Sequence, residues 1–362
     1  MNRYDIAIIG AGIAGASLAA AIGARAKLVL LEAEDMPGYH ATGRSAAFWS
    51  ETYGGPGVQP LTTASGSTLR DGGYLQPLGS LHVGRAEDEG KADSLLAEFA
   101  DTSVPLASID PAAMIPGLRE DWSVGVFEPT CAYIDVARLH ADCLAAARRA
   151  GASLLTNAGL ESAARSPDGD WRLETWAGAV AAGVIVIAAG AWADAVAARA
   201  GAIPLGVRPY RRTVAQLRTD PLAPAGLPHV ADLAGRFYFK PEAGGRLWLS
   251  PHDETATEAC DAAAEELDVA LAIDRFEQVV DWRVAAVERR WAGLRSFAPD
   301  RLPVYGFDPR TPGLFWFAGQ GGFGIQTAPA AAAIGAALLL GTTPDPSVSA
   351  IDAERYSPAR FG

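Results

Sequence analysis

The chain has 362 residues, 49% hydrophobic and 20% charged, with 30 Lys plus Arg against 42 Asp plus Glu and a formal net charge of −12. That composition excludes a predominantly disordered chain and, at about 150 residues per domain, provides for two domains with a large core. The acidic balance without a basic run excludes nucleic-acid phosphates as the partner. The three cysteines, Cys131, Cys143 and Cys260, form no CxxC pair, which excludes a disulfide framework or a thiolate zinc site.

Tyr4–Ile9 is a short apolar run ending in glycine, the pattern of a buried parallel strand. Ala14–Gly23 has helical composition, and Lys27-Leu28-Val29-Leu30-Leu31-Glu32 reads as a second strand, so residues 4–32 form a βαβ unit. Ile6–Ile22 is not read as a signal peptide: Gly10, Gly12 and Gly15 interrupt it at turn spacing, and its only basic flank, Arg3, is balanced by Asp5. Tyr74–Gly84 and Gln216–Ser250 carry the aromatics, turn residues and alternation of antiparallel strands. Val184–Ala189 and Leu314–Ala318 are expected as further strands of the first, parallel sheet. Glu265–Val280 reads as a helix. Ala328–Leu340 is shorter than the about 20 residues of a membrane span and is expected to be a buried helix.

Gly10-Ala11-Gly12-Ile13-Ala14-Gly15 is a GxGxxG placed between a strand and a helix, with Glu32 at the end of the next strand. Gly10 permits the tight turn, Gly12 the approach of a pyrophosphate, and Gly15 close helix–strand packing. The helix start offers free N–H groups to phosphates, and Glu32 accepts ribose hydroxyls while repelling a 2′-phosphate. The polar segment Gly38-Tyr39-His40-Ala41-Thr42-Gly43-Arg44-Ser45-Ala46-Ala47 suits the extended pyrophosphate-to-ribityl part of FAD. From chemistry alone, Arg44 reads equally well as a surface charge and His40 as a satisfied loop histidine.

The 38–47 segment, Val-Ile-Ala-Ala-Gly-Ala-Trp (186–192), Trp-Ala-Gly-Leu-Arg-Ser-Phe (291–297) and Gly-Gln-Gly-Gly-Phe-Gly-Ile-Gln-Thr (319–327) resemble the D-amino-acid oxidase superfamily. Within it the resemblance is strongest to D-arginine dehydrogenase-like D-amino-acid dehydrogenases, and it runs almost end to end. It implies a mixed α/β fold in which a Rossmann-like FAD-binding domain (1–72, 134–205 and 297–362) interleaves with a substrate domain built on an antiparallel sheet (73–133 and 206–296). It also places FAD contacts at Gly10, Gly12, Ile13, Ala14, Gly15, Glu32, Ala33, Thr42, Gly43, Arg44, Ser45, Ala46, Ala47, Leu160, Ala189, Gly190, Trp192, Gly321, Gly324, Ile325, Gln326 and Thr327. Tyr53, Arg212, Tyr238 and Arg295 fall on substrate-contact positions, and Gly322 supplies a carbonyl to the amino group. Two positions depart from the D-arginine pattern. Phe48 stands for a histidine, and Ser80 for the acid that reads the side chain, so neutral, medium-sized or apolar D-amino acids are expected over D-arginine and D-lysine.

Oxidising an amino acid requires its carboxylate to be held, and the planar fork of arginine donates two parallel hydrogen bonds to one. Arg295, placed after a strand, and Arg212, placed at the start of another, are the candidates, with Tyr53 and Tyr238 closing the pocket. The five histidines form no catalytic pattern. If the amine enters neutral, its lone pair can drive hydride departure without a protein base. Backbone N–H groups at 324–327 and the following helix are expected to meet negative charge on the reduced flavin. No cysteine lies in 315–327, so FAD is expected to be non-covalent, and no metal site is expected.

The resulting expectation is FAD-dependent oxidative deamination of D-amino acids by hydride transfer from Cα to flavin N5. The alternatives are a glycine or sarcosine-type amine oxidase, favoured by a small aromatic-lined pocket, and a flavin-binding protein without turnover. Oxygen, a quinone or a carrier remains open as the electron acceptor. A cytoplasmic location is expected from the cysteine usage, with peripheral attachment at the inner membrane face left open, and neither nucleic acid nor an integral membrane segment is expected.

Overall fold

In the computed structural model, which describes residues 1–362, strand β1 (Asn2–Ile9) runs into helix α1 (Ile13–Ile22) and then strand β2 (Leu28–Leu31). All four β2 side chains are buried, as a parallel strand covered on both faces requires. β1 lies between β2 and the strand Val180–Ile187, parallel to both, and Leu314–Ala318 continues the parallel order with Ile185 opposite Leu314. Ser153–Leu155 extends the other edge beside β2. Three further strands pair antiparallel (Leu160–Arg165, Trp171–Thr175, Val304–Phe307) and complete an eight-stranded sheet. Ile8, Leu18, Val186, Phe317 and Ile334 form the core on one face, and Ala7, Ile187, Val196 and Trp316 on the other. The helix Ala328–Leu340 packs against α1 and, as expected, is largely buried.

A second, ten-stranded sheet is centred on a long antiparallel pair, Arg208–Asp220 and Arg283–Phe297. Two expectations about it are corrected. Arg212 lies well inside the first of these strands, and Arg295 lies within the second rather than after it. The polar run Glu288-Arg289-Arg290 masks the second strand because that half projects into solvent, where no apolar alternation is needed. The sheet is also not purely antiparallel. Ser80–Gly84 pairs parallel with His229–Asp232 and antiparallel with Val124–Glu128. The helix Glu266–Glu277 packs on this sheet through Val269, Ala272 and Phe276, burying Leu247, Leu249 and Phe239. A small third sheet joins Phe48–Trp49, Leu75–Pro77 and Ala132–Ile134.

A long cleft runs between the two large sheets. Its walls include the carboxyl ends of β1, β2 and the 180–187 strand on one side and Arg212, Val214, Tyr238 and residues 293–296 on the other. The crevice beyond the carboxyl ends of parallel strands is where open α/β sheets bind their ligands.

Candidate active site

The glycine loop brings three peptides into contact. Gly10 has φ 103°, and a Cβ there would stand 2.4 Å from the Ala188 carbonyl oxygen; a Cβ on Gly15 would stand 2.0 Å from that of Gly10. Any side chain at either position would push the turn away from the sheet. The Ala11 amide donates to Glu32 at 2.8 Å, and the other oxygen of Glu32 accepts from the Glu34 amide at 3.1 Å. Each carboxylate oxygen therefore keeps acceptor capacity toward the cleft. The Ile13 amide donates to Thr42 Oγ1 at 3.0 Å, so the donor expected to face a phosphate is already used. The amides of Gly12 and Ala14 have no partner within the protein and line the cleft. They are the free helix-start donors of an anion cradle.

Of the residues expected to contact FAD, Gly10, Gly12, Ile13, Ala14, Glu32, Ala33, Thr42, Arg44, Ser45, Ala46, Leu160, Ala189, Gly190, Trp192, Gly321, Gly324 and Ile325 line this one cleft. Gly15, Gly43, Ala47, Gln326 and Thr327 do not. Gly15 and Gly43 pack against the carbonyl oxygens of Gly10 and Gly38. Ala47 joins the Ile13–Trp49 core, and Thr327 Oγ1 donates to the Phe323 carbonyl at 2.9 Å. Gln326 is buried and acts as a tie: its Nε2 donates to the Tyr53 carbonyl (3.1 Å) and Thr62 Oγ1 (2.9 Å), and its Oε1 accepts from the Ser50 amide (3.3 Å). Arg44 has a structural task as well, donating to the Ala262 carbonyl at 2.8 Å and pairing with Asp261. The helix at 328–340 offers no free first-turn donor, because Ala328 bonds Ile325, position 329 is proline, and Ala330 bonds Ser65 Oγ. The unpartnered amides at this end belong instead to the loop Gly324–Gln326.

Sequence reasoning missed other lining residues, among them Trp176, Arg199, Glu34 and Val214. Trp176 sits on the turn before the 180–187 strand, 61% exposed, with its indole over Gly159. A large exposed aromatic on a tight turn was the available signal.

At the opposite end, Tyr53, Arg212, Tyr238, Arg295 and Gly322 come together. A Cβ on Gly322 would stand 2.1 Å from the Tyr53 hydroxyl and 3.4 Å from Arg295 Cδ, so glycine is what lets these groups meet. Tyr53 itself lies behind the Gly322 backbone rather than on the cleft wall. The Arg295 guanidinium lies 5.8 Å from the Tyr53 ring centre and forms no hydrogen bond or ion pair with the protein. Arg212 is 3% exposed; its Nε donates to the Asp253 carbonyl at 2.5 Å and its Nη2 to Glu254 at 3.2 Å. Its Nη1 is buried without a partner, as is the Tyr238 hydroxyl. Burial, reinforced by the charge of Arg295, pushes the Arg212 guanidinium down to about 10, which leaves it charged near neutrality.

Three of the five histidines, expected to form no catalytic pattern, cluster beside this chamber. Burial pushes His82 down to about 4, and burial with the charges of Arg212 and Arg295 pushes His252 down to about 3. His229 is likewise held well below its ordinary value by burial, then by the charges of His82, Lys240 and His252. Ser80 does not line the chamber: it is 1% exposed and its Oγ bonds His229 Nδ1 at 2.9 Å. Phe48 stacks on His229 at 4.3 Å between ring centres.

A dinucleotide cradle leads along one cleft to a chamber holding an arginine without a protein partner, the arrangement of a cofactor-dependent oxidoreductase. The chain belongs to the family of FAD-dependent oxidoreductases known as DAO, whose model matches residues 5–338. Glycine oxidase of Geobacillus kaustophilus is 27% identical over 349 residues, covering 91% of this chain and 90% of that one, and its crystal structure superposes with a TM-score of 0.83 over 99% of both chains. Mouse dimethylglycine dehydrogenase is 29% identical over 276 residues, 68% of this chain but 30% of its own length. L-Proline dehydrogenase from P. horikoshii shares the fold, with a TM-score of 0.86, 20% identity and coverage of 99% of this chain and 98% of that one.

The protein is thus an FAD-dependent oxidoreductase of an amine and amino-acid oxidising family. These relatives are named for glycine, dimethylglycine and proline, so the finer resemblance to D-arginine dehydrogenases is not supported by them. The residues present fit the cofactor: two unpartnered amides for the pyrophosphate, a carboxylate with spare acceptor capacity for ribose, and glycines where a Cβ would block the approach. No helix is long and apolar enough to cross a membrane.

Proposed function

We propose that this protein oxidises the Cα–N bond of a small, uncharged α-amino acid or its N-methyl derivative, such as glycine, sarcosine or a small D-amino acid. The product is an imino acid that water hydrolyses to the 2-oxo acid and ammonia, or methylamine from the N-methyl substrate. The observation that carries this reading is the Arg295 guanidinium, unpaired in a chamber where Arg212 Nη1 and the Tyr238 hydroxyl are also unpaired. A substrate carboxylate fits this set by charge and by donor number. The chamber offers no unpaired carboxylate for a cationic side chain. Glu254 is committed to Arg212 and Arg301, and Glu51 to Thr63 and Thr130. Tyr238, which lines the cleft, is backed by the rings of Phe48 and His229, and this crowding favours a small substrate over medium-sized D-amino acids.

FAD, when bound, would supply a two-electron acceptor for the Cα hydride. Glu32, the Gly12 and Ala14 amides, Thr42, Arg44, Ser45 and Ala46 would hold it at one end, and Gly321, Gly322, Gly324 and Ile325 at the other. Arg295, assisted by Arg212 and Tyr238, fixes the carboxylate so that Cα–H has one orientation, while the Gly322 carbonyl accepts a hydrogen bond from the neutral amine. The histidines near the chamber are neutral and are assigned no proton-transfer role. FAD is non-covalent, with residues 1–72, 134–205 and 297–362 as its domain and 73–133 and 206–296 as the substrate domain. The three free cysteines support a reducing, cytoplasmic setting.

The test is anaerobic bleaching of the flavin by glycine, sarcosine, D-alanine, L-alanine, D-leucine and D-arginine, followed by admission of air to separate oxidase from dehydrogenase. Faster bleaching by the small substrates than by D-leucine or D-arginine is expected. Bleaching by D-leucine ahead of them points instead to oxidation of medium-sized D-amino acids, and bleaching by none of the six favours a flavoprotein without turnover.

A further inference from the structure

The glycine loop and Glu32 account for the pyrophosphate and a ribose of FAD but not for its adenine. The base must lie beyond Glu32, at the end of the cleft away from Arg295. Backbone pairing shows what stands there. The Ala158 amide donates to the Glu32 carbonyl at 2.8 Å and the Asn157 amide to that of Glu34 at 3.0 Å, so residues 157–159 run beside 32–34. The Gly159 carbonyl then accepts from the Trp176 amide at 3.1 Å, and a Cβ on Gly159 would stand 2.7 to 2.8 Å from three carbons of the indole. The indole therefore lies on the peptide next to the one that pairs with Glu32. Ala33, Glu34, Gly159, Leu160 and Trp176 all line the cleft.

The turn that carries Trp176 is built to hold it still. Thr175 Oγ1 accepts from the Ala177 amide at 3.2 Å and donates to the Gly178 carbonyl at 2.6 Å, and Gly178 has φ 103°, which a side chain would strain. Thr175 faces Leu160, and the register shift between Leu160 and Ser162 is a bulge, a device that re-aims the residues beside it. The Leu160 carbonyl accepts from Arg199 Nη1 at 2.5 Å, which fixes the strand under the ring. Yet the indole so held is 61% exposed. A rigid aromatic face left open beside a ribose site matches the flat, apolar face of a purine.

We infer that Trp176 is the residue on which the adenine of FAD stacks, and that it sets how long the protein retains its cofactor. The inference rests on the proposed function in one respect, that the ribose lies at Glu32.

The experiment uses the full chain, FAD-loaded and after removal of the flavin, with three variants. Trp176→Ala removes the ring, Trp176→Phe keeps an aromatic face, and Gly159→Ala displaces the indole without deleting it. The first readout is the rate of FAD release after dilution, followed by flavin fluorescence. The second is the concentration of ADP, and separately of FMN, that halves FAD uptake by the flavin-free chain.

Trp176→Ala and Gly159→Ala are expected to speed FAD release and to weaken ADP by roughly 5- to 150-fold, the worth of one base stacked on an aromatic ring, with Trp176→Phe closer to wild type. FMN, which has no adenine, is expected to stay within about twofold of wild type. A merely structural role would weaken ADP and FMN alike, or move neither. Either result overturns the inference, as does a wild type with which ADP does not compete. If Glu32→Ala speeds release while Trp176→Ala does not, the ribose site stands and only the stacking inference fails. If neither does, the placing of the ribose fails with it.

Discussion

Replacing Arg295 with methionine should separate folding from carboxylate recognition. The guanidinium makes no hydrogen bond or ion pair with the protein, and its cationic neighbour Arg212 is pushed down to about 10 by burial and by Arg295 itself. Removing Arg295 breaks no hydrogen bond and relieves its repulsion of Arg212 while losing its attraction to Glu254 and Asp253, so the thermal midpoint is expected to stay close to that of wild type. The ligand carboxylate loses a charged, partly desolvated partner, a change worth about 2–5 kcal/mol, or roughly 30- to 5000-fold in affinity. Arg212→Met is the contrasting variant. It loses the bonds to the Asp253 carbonyl and to Glu254 and removes the counter-charge of partly buried Asp253, so it should destabilise the fold as well as the complex. Both variants are followed by thermal unfolding and by acetate titration of the flavin spectrum. The carboxylate-anchor role of Arg295 is refuted if Arg295→Met lowers the midpoint as far as Arg212→Met, or weakens acetate by less than about threefold.

Glu32→Ala is expected to speed FAD release about tenfold or more, because a charged acceptor of the Ala11 and Glu34 amides and of the ribose is lost; flavin fluorescence after dilution measures it. Gly322→Ala places a methyl 2.1 Å from the Tyr53 hydroxyl and should cost about 1–3 kcal/mol through forced repacking, while Gly322→Ala with Tyr53→Phe recovers part of that stability; no recovery would show that the clash lies elsewhere. His82 and His252, at about 4 and about 3 when folded, titrate near 6.5 when unfolded, so each contributes stability that is full above pH 6.5 and is lost as pH falls toward its folded pKa. Urea unfolding should show the decline at about 1.4 kcal/mol per pH unit for each residue, and His82→Gln should flatten it; an unchanged slope rejects the assignment.

The nucleotide end was the more legible half of the molecule because its requirements are local. A turn at Gly10 and a carboxylate ending the next strand are fixed by neighbours within one βαβ unit. Even there, the capture of the Ile13 amide by Thr42 depends on a loop 29 residues away and left no trace in the glycine spacing. The substrate end is assembled from residues far apart in the chain, so it could be read only through resemblance. Gln326 sits in a cofactor motif yet spends its amide on Ser50, Tyr53 and Thr62, contacts invisible until the two segments meet. Ser80 aligned with a substrate reader but turns to His229, because strand pairing sets its neighbour. The projecting half of the 283–297 strand lacked alternation for the reason that made it hard to see: water covers it.

The two arginines lie 83 positions apart in sequence, yet the long ribbon sets Arg212 opposite Gly293 and Arg295 opposite Tyr210. Their spacing is therefore fixed by two continuous strands. Residues 221–282, the whole excursion between those strands, supply His229, Tyr238, His252 and Glu254. Descendants of such a protein can lengthen, shorten or rewrite that excursion while the ribbon preserves the distance between the cations. What the protein accepts and how it holds it are thereby inherited on separate stretches of the gene, so selection can revise diet without rebuilding the grip.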